Sequence, residues 1–186
     1  QDELIAKKAK KVLWILFASF PMLFVILFGG DYLTTKKKER LLIESAKSII
    51  ETNTKKSDHL VNYNFDEKWV TETKYILEIL SKTDDNFPHV SILVKDSIDS
   101  EPVFLGFIAY FHGNLTDTIQ PVKKDFMTKT TQPERDYLDS VFEDGNKDYR
   151  YSAHDGRYEL FYPYFKGQNK IVIYFSETQR YGKIGS

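Results

Sequence analysis

Tyr149 to Phe175 reads Y-R-Y-S-A-H-D-G-R-Y-E-L-F-Y-P-Y-F-K-G-Q-N-K-I-V-I-Y-F, three antiparallel strands in one run. Asp155-Gly156 is the dipeptide of a two-residue type I′ hairpin turn, whose two central residues both need positive φ. Lys166 to Asn169 supplies a second polar, glycine-containing turn before Ile171-Val172-Ile173. With two residues in the first turn, Ala153 faces Tyr158, Tyr151 faces Leu160 and Tyr149 faces Tyr162. The period of two then gives an aromatic face of Tyr149, Tyr151, Ala153, Tyr158, Leu160 and Tyr162. Arg150, Ser152, His154, Arg157, Glu159 and Phe161 make the other face. Such a sheet expects helices on one side and a pocket or solvent on the other.

Working outward toward the N-terminus, Val90–Lys95 and Val103–Phe111 are rich in β-branched and aromatic residues and read as two more strands. Between these and the hairpin, the stretch 112–148 is irregular apart from a short helix opened by Pro133, with Gly145 placed as a left-handed cap. An excursion of this length inside a compact domain is usually functional, and it is expected to form a ligand lid. Ahead of the strands, Leu42, Ala46, Ile49 and Ile50 mark one face of a helix over 41–62. Asp66 is placed to cap a second helix with Trp69, Thr73, Ile76 and Leu80 on one side. The sum is an α+β chain with five antiparallel strands behind a long helix.

Between Lys11 and Asp31 no charged residue occurs, and residues 12–30 are apolar on every side. At 1.5 Å per residue such a segment spans about 28 Å, one hydrocarbon core. Pro21 is tolerated in a membrane helix, and Trp14 and Tyr32 stand where interfacial aromatics anchor. The rival reading is a cleaved signal peptide with Lys7-Lys8-Ala9-Lys10-Lys11 as its basic region, but the apolar run is long and no A-x-A site follows, which favours an uncleaved anchor. Lys7, Lys8, Lys10 and Lys11 precede the span, whereas Lys36, Lys37, Lys38 and Arg40 follow it. The tight first cluster places residues 1–11 on the cytoplasmic side of the inner membrane and the domain outside.

A charged fraction of 28% with 15% aromatics belongs to a folded chain rather than a disordered one. The net charge of −1, without a basic patch interleaved with aromatics, gives no support to nucleic-acid binding. Zero cysteines exclude disulfides and thiolate metal sites. His59, His89, His112 and His154 are scattered and have no metal-ligand spacing. No nucleophile elbow, P-loop or glycine-rich dinucleotide turn occurs, so neither catalysis nor a cofactor is expected.

The order of elements resembles a Cache domain, the PAS-like extracytoplasmic sensor module of bacterial receptors. The residues that carry the resemblance are Arg135-Asp136-Tyr137-Leu138, then Tyr149-Arg150-Tyr151, Asp155-Gly156 and Phe161-Tyr162-Pro163. Arg135 stands at the family's arginine, and Tyr137 replaces its tryptophan. No aspartate stands two residues after Tyr149 or Tyr151, where amino-acid-sensing members hold the ligand's amine. The resemblance implies a sensor domain over 31–180 that binds a small molecule, a carboxylate being compatible. It further implies a homodimer, paired through the 34–62 helix, and an output module absent from this chain: a chemoreceptor hairpin, histidine kinase, cyclase or phosphatase. Residues 181–186 then read as a linker toward a second membrane helix. The rival expectation is a single-span anchored domain that binds another envelope protein and no small molecule.

Arg135 suits a carboxylate clamp, or alternatively a helix-surface ion pair with Asp139. Tyr149, Tyr151 and Tyr162 either line an aromatic pocket or pack beneath the long helix, and Tyr137 joins them as a lid residue. Arg150 and His154, with Ser152, make a polar strand face that either receives an anion or meets water.

Overall fold

The computed structural model of the protein describes residues 2–52, 54–83, 89–109 and 120–178. The chain divides into two compact units, Gln1–Lys38 and Glu39–Ser186. Helix α1 runs over Asp2–Thr52 with Pro21 inside it. A window within it is long and apolar enough to cross a membrane. Leu13, Trp14, Phe17, Phe20 and Val25 all stand exposed there, which suits a helix whose solvent is lipid.

In the second unit, α2 covers Thr54–Val61 and α3 covers Glu67–Thr83. The stretch expected as a helix over 41–62 is helical up to Thr52 and again over Thr54–Val61, and Asn53 lies outside the described residues. Asp66 caps α3 as its position predicts, with Oδ1 accepting from the Trp69 N–H at 2.7 Å. Strands β1 (Val90–Ile98) and β2 (Glu101–Ile108) form a hairpin. A short 3₁₀ turn at Lys123–Phe126, helix α4 at Gln132–Asp139 and a π-turn at Ser140–Asp144 follow. Three strands close the chain: β3 (Arg150–His154), β4 (Arg157–Lys166) and β5 (Asn169–Thr178).

The five strands form one antiparallel sheet in the order β2-β1-β5-β4-β3. Ala153 pairs with Tyr158 and Tyr151 with Leu160, the register that the two-residue turn requires. Asp155 and Gly156 have φ of 50° and 74°, as a type I′ turn demands. The β1–β2 turn is built alike at Asp99-Ser100, with φ of 52° and 70°, so β1 reaches three residues past Lys95. Pro102 lies on β2, an edge strand, where a missing N–H is tolerated. Pro163 lies past Phe161, where pairing with β3 has ended and β4 has β5 alone as partner.

Alternation assigns every strand residue to one of two faces. Ile92, Val94, Leu105, Leu160, Ile173 and Phe175 face the helices. They pack there against Leu42, Ala46 and Ile49 of α1, Leu60 of α2, and Trp69 and Leu77 of α3. The helical stripe of Leu42, Ala46 and Ile49 is thus taken up by the domain's own core. On the opposite face, Leu93, Phe104, Phe161 and Val172 pack with Leu138 of α4 and Val141 of the π-turn.

Candidate functional site

Because β5 lies at the centre of the sheet, β2 and β3 occupy opposite edges and the chain joining them must cross a face. Phe126 tucks round the β2 edge into the helix-side core, 5.0 Å from the Phe107 ring centroid. Met127 then bridges to Leu105, and the Thr128 N–H donates to the Phe104 carbonyl at 2.9 Å. Gly106 permits this approach. A methyl placed on it would lie 2.2 Å from Thr128 Oγ1. Beyond Thr131, α4 settles on the far half of the sheet, where Lys95 of β1 holds Asp139 at 2.6 Å and also pairs with Glu143. Lys170 of β5 donates to the Phe142 carbonyl at 2.7 Å. Gly145, with φ of 75°, ends the π-turn as the left-handed cap its position predicts.

The excursion covers one half of the face and leaves a cleft of about 940 Å³ over the other. Its floor comes from alternate residues of all five strands: Ser91 and Leu93, Gly106 and Ile108, Tyr174, and the polar faces of β3 and β4. Its wall is the run from Asp125 to Thr131, with Glu134 of α4. A side hollow of about 300 Å³ near Ser81, His89 and Ser176 shares Ser91, Ile108 and Tyr174 with it. A more open hollow of about 680 Å³ beside Phe65, Lys68 and Glu72 is rimmed by exposed charges and contains no orphaned buried polar atom among the described residues.

The charges of the cleft fall into two classes. Glu159 is committed. Its Oε1 takes an ion pair from Arg157 Nη2 at 2.7 Å and a hydrogen bond from the Tyr174 hydroxyl. Burial first, then that bond to a carboxylate, pushes the Tyr174 hydroxyl up to about 12. The Tyr174 contact and the Glu159 charge raise the Arg157 guanidinium. Glu134 is committed as well, accepting from the Thr131 N–H at 2.7 Å across the first turn of α4.

Arg150 belongs to the other class. Its guanidinium lies over the Phe161 ring, 5.5 Å from the centroid, and its buried Nη1 has no hydrogen-bond partner among the described residues. Among the described residues, Thr130 Oγ1 of the cleft wall is the other buried side-chain atom in that condition. A buried cationic nitrogen with its hydrogen-bonding capacity unmet is costly, so each of these two atoms of the cleft lining has a hydrogen bond left to offer a bound group.

The residues singled out from the sequence are divided by the sheet. Arg150 and His154 line the cleft. His154 stands at its open end, with Nε2 3.0 Å from Asp155 and both side chains exposed. Tyr151 and Tyr162 pack on the helix side as part of the core, where burial raises the Tyr151 hydroxyl. Tyr149 stands before β3 and is 44% exposed, its hydroxyl donating to Glu39 at 3.1 Å. Tyr137 is a fastening residue of α4. Its hydroxyl donates to the Asp148 carbonyl at 2.8 Å and its ring packs edge-on to Phe161. Arg135 is exposed on α4 outside the cleft lining, and its suggested partner Asp139 is held by Lys95. The part of the excursion over 110–119 and the segment 181–186 lie outside the described residues. Among the described residues, no group of three or more histidine and acidic side chains converges as a metal site would.

Thr128, Thr130 and Tyr174 are among the cleft residues that the sequence did not single out. Tyr174 of β5 pairs with Phe161 of β4 and so shares the sheet face of Arg157 and Glu159. The two threonines carried no signal in the sequence, since they lie in irregular chain. No family model, curated protein or solved structure matches this chain.

Proposed function

We propose that this chain is a membrane-anchored sensory module whose sheet domain binds a small molecule outside the cytoplasm. The observation that carries the reading is the cleft: about 940 Å³, floored by all five strands, with two orphaned buried polar atoms on its border. Ligand sites are characteristically concave, mostly apolar and furnished with a few convergent polar groups. The α+β architecture, with helices on one face of an antiparallel sheet and an excursion across the other, agrees with the Cache-like resemblance read from the sequence. The apolar window within α1 agrees with an anchor.

A ligand seated between sheet and excursion favours whichever arrangement of 125–134 it contacts best, and can shift that equilibrium only by its differential affinity. Relay of this shift to the membrane helix, and onward to an output module, completes the proposal. If the receptor is a homodimer, its seam must use a helix surface other than Leu42, Ala46 and Ile49, which are buried in the core.

The test is a thermal-shift screen of the full chain in detergent micelles against organic acids, amino acids, amines and nucleobases. A ligand at a hundred times its dissociation constant adds about 2.7 kcal/mol, a rise of several degrees for a domain of this size. At least one class should raise the melting temperature, and a variant with the cleft filled by Ser152→Trp should lose the response. A flat screen would transfer the domain to the alternative, an envelope module that binds a protein partner.

A further inference from the structure

Resting on the reading of the cleft as a ligand site, the geometry points to a specific ligand class: a carboxylate with an apolar body and no ammonium group, its anionic end held by Arg150 and Thr130.

The first argument is a charge inventory of the cleft. Of its carboxylates, Glu159 is taken by Arg157 and Tyr174, and Glu134 by the Thr131 amide. Asp125 stands exposed at the rim. The carboxylate on the cleft floor, Glu159, is therefore already charge-paired and not free to receive an ammonium. The Nη1 of Arg150, in contrast, is buried and has no hydrogen-bond partner among the described residues. An anion supplies what the guanidinium lacks, and a carboxylate matches its planar fork of donors. Thr130 Oγ1, also buried and unpartnered, offers a hydroxyl hydrogen to the same kind of group.

The second argument is the setting of that cation. Arg150 lies over the Phe161 ring, and Leu93 of the central strands shares the cleft floor. Met127 contributes to the wall, and Ile108 borders the mouth. A ligand anchored at Arg150 therefore lays the rest of its body against apolar surface. A free amino acid would bring its ammonium over a floor whose carboxylate, Glu159, is already paired with Arg157. The position of Arg150, on β3 rather than on α4, also separates this clamp from Arg135, the arginine suggested by the sequence pattern.

The experiment compares matched probes on the full chain in detergent: propionate, benzoate and phenylacetate, their three amides, and phenylalanine. Melting temperature and affinity are measured for the unaltered protein, Arg150→Met, Arg150→Lys and Thr130→Val. The expected result is a rise in melting temperature with at least one carboxylate, absent with its amide and with phenylalanine. Arg150→Met should weaken that carboxylate by about 30-fold or more, the usual consequence of removing one partner of a buried charge pair. In the ligand-free state Arg150→Met should melt about as the unaltered protein does, because the buried, unpartnered Nη1 is removed while the methionine keeps apolar contact with Phe161. Arg150→Lys keeps the charge but not the fork, and should retain part of the affinity.

The inference is overturned if an amide protects as well as its acid, if no carboxylate protects, or if Arg150→Met keeps full carboxylate affinity. It is also overturned if Arg150→Met lowers the ligand-free melting temperature by several degrees, which would make Arg150 a structural residue. Binding of an amide or amine that Ser152→Trp abolishes would sink this ligand class and leave the cleft reading standing. Failure of every compound in the wider screen would sink both.

Discussion

Replacing Gly106 with alanine probes the contact that holds the excursion against the sheet. The added methyl would lie 2.2 Å from Thr128 Oγ1, far inside any permitted contact, and 3.3 Å from Leu93 Cδ2. The leucine methyl can turn aside at little cost. Thr128 cannot retreat freely, because its amide is bonded to the Phe104 carbonyl and Met127 bridges to Leu105. Overpacking of this kind costs about 1–3 kcal/mol, offset by about 0.4–1 kcal/mol for replacing a glycine in the unfolded chain. The net loss is about 1–2 kcal/mol, or roughly 3–6 °C in melting temperature for a domain of this size. Circular-dichroism melts of the full chain in detergent read it directly. The decisive comparison repeats the substitution in a Thr128→Ala background, where the nearest Thr128 atom becomes Cβ at 3.6 Å, an ordinary contact. The penalty should vanish there or change sign. An equal loss in both backgrounds would refute the idea that Gly106 exists to admit Thr128.

Asp96 joins three elements, accepting from the Tyr63 hydroxyl of the α2–α3 connection and from Lys123 of the 3₁₀ turn. Burial works to raise its carboxyl, but the bonds from Lys123, Tyr63 and the Ser97 amide outweigh it and hold the group below its ordinary 3.8. Its contribution to stability is therefore complete above pH 3.8 and is lost as pH falls through the lower folded value. Asp96→Asn should flatten the acid limb of a plot of melting temperature against pH, and an unchanged limb would contradict this. Ser100→Gly should stabilise the protein by about 0.5–1 kcal/mol in denaturant titration by relieving a left-handed serine; a loss would mean the hydroxyl matters more than the backbone. The chain has no cysteine, so Ser100→Cys places a single thiol on the β1–β2 turn. A membrane-impermeant maleimide should label it in spheroplasts, whereas labelling only after lysis would reverse the proposed orientation.

The hairpin was legible because its register follows from local chemistry. Asp155-Gly156 admits two positive φ values, and the alternation on either side carries the rest. Asp99-Ser100 adopts the same geometry without a glycine, so nothing in its composition distinguished it from the polar residues around it. The central position of β5 beside β1 is a long-range pairing that periodicity does not reveal. For the same reason, alternation separated Tyr151 and Tyr162 from Arg150 and Glu159 but left open which set meets the helices. Packing decides it: the α1 stripe at Leu42, Ala46 and Ile49, with Trp69 and Leu77 of α3, covers the aromatic side. Arg150 then passes from a residue on a wet strand face to one beneath a wall, and that wall is made of irregular chain. Thr128 and Thr130 owe their places to an edge bridge and a glycine rather than to any pattern of their own.

Saturation-transfer NMR on the full chain in micelles, with a pooled set of organic acids, amides, amines and nucleobases, tests the central claim most directly. It detects contact between protein and small molecule without requiring any change in stability. At least one compound should receive magnetisation from the unaltered protein and none from Ser152→Trp, in which an indole rising from β3 fills the cleft. No transfer to any compound, or equal transfer in the filled variant, would contradict a ligand site between the sheet and the excursion.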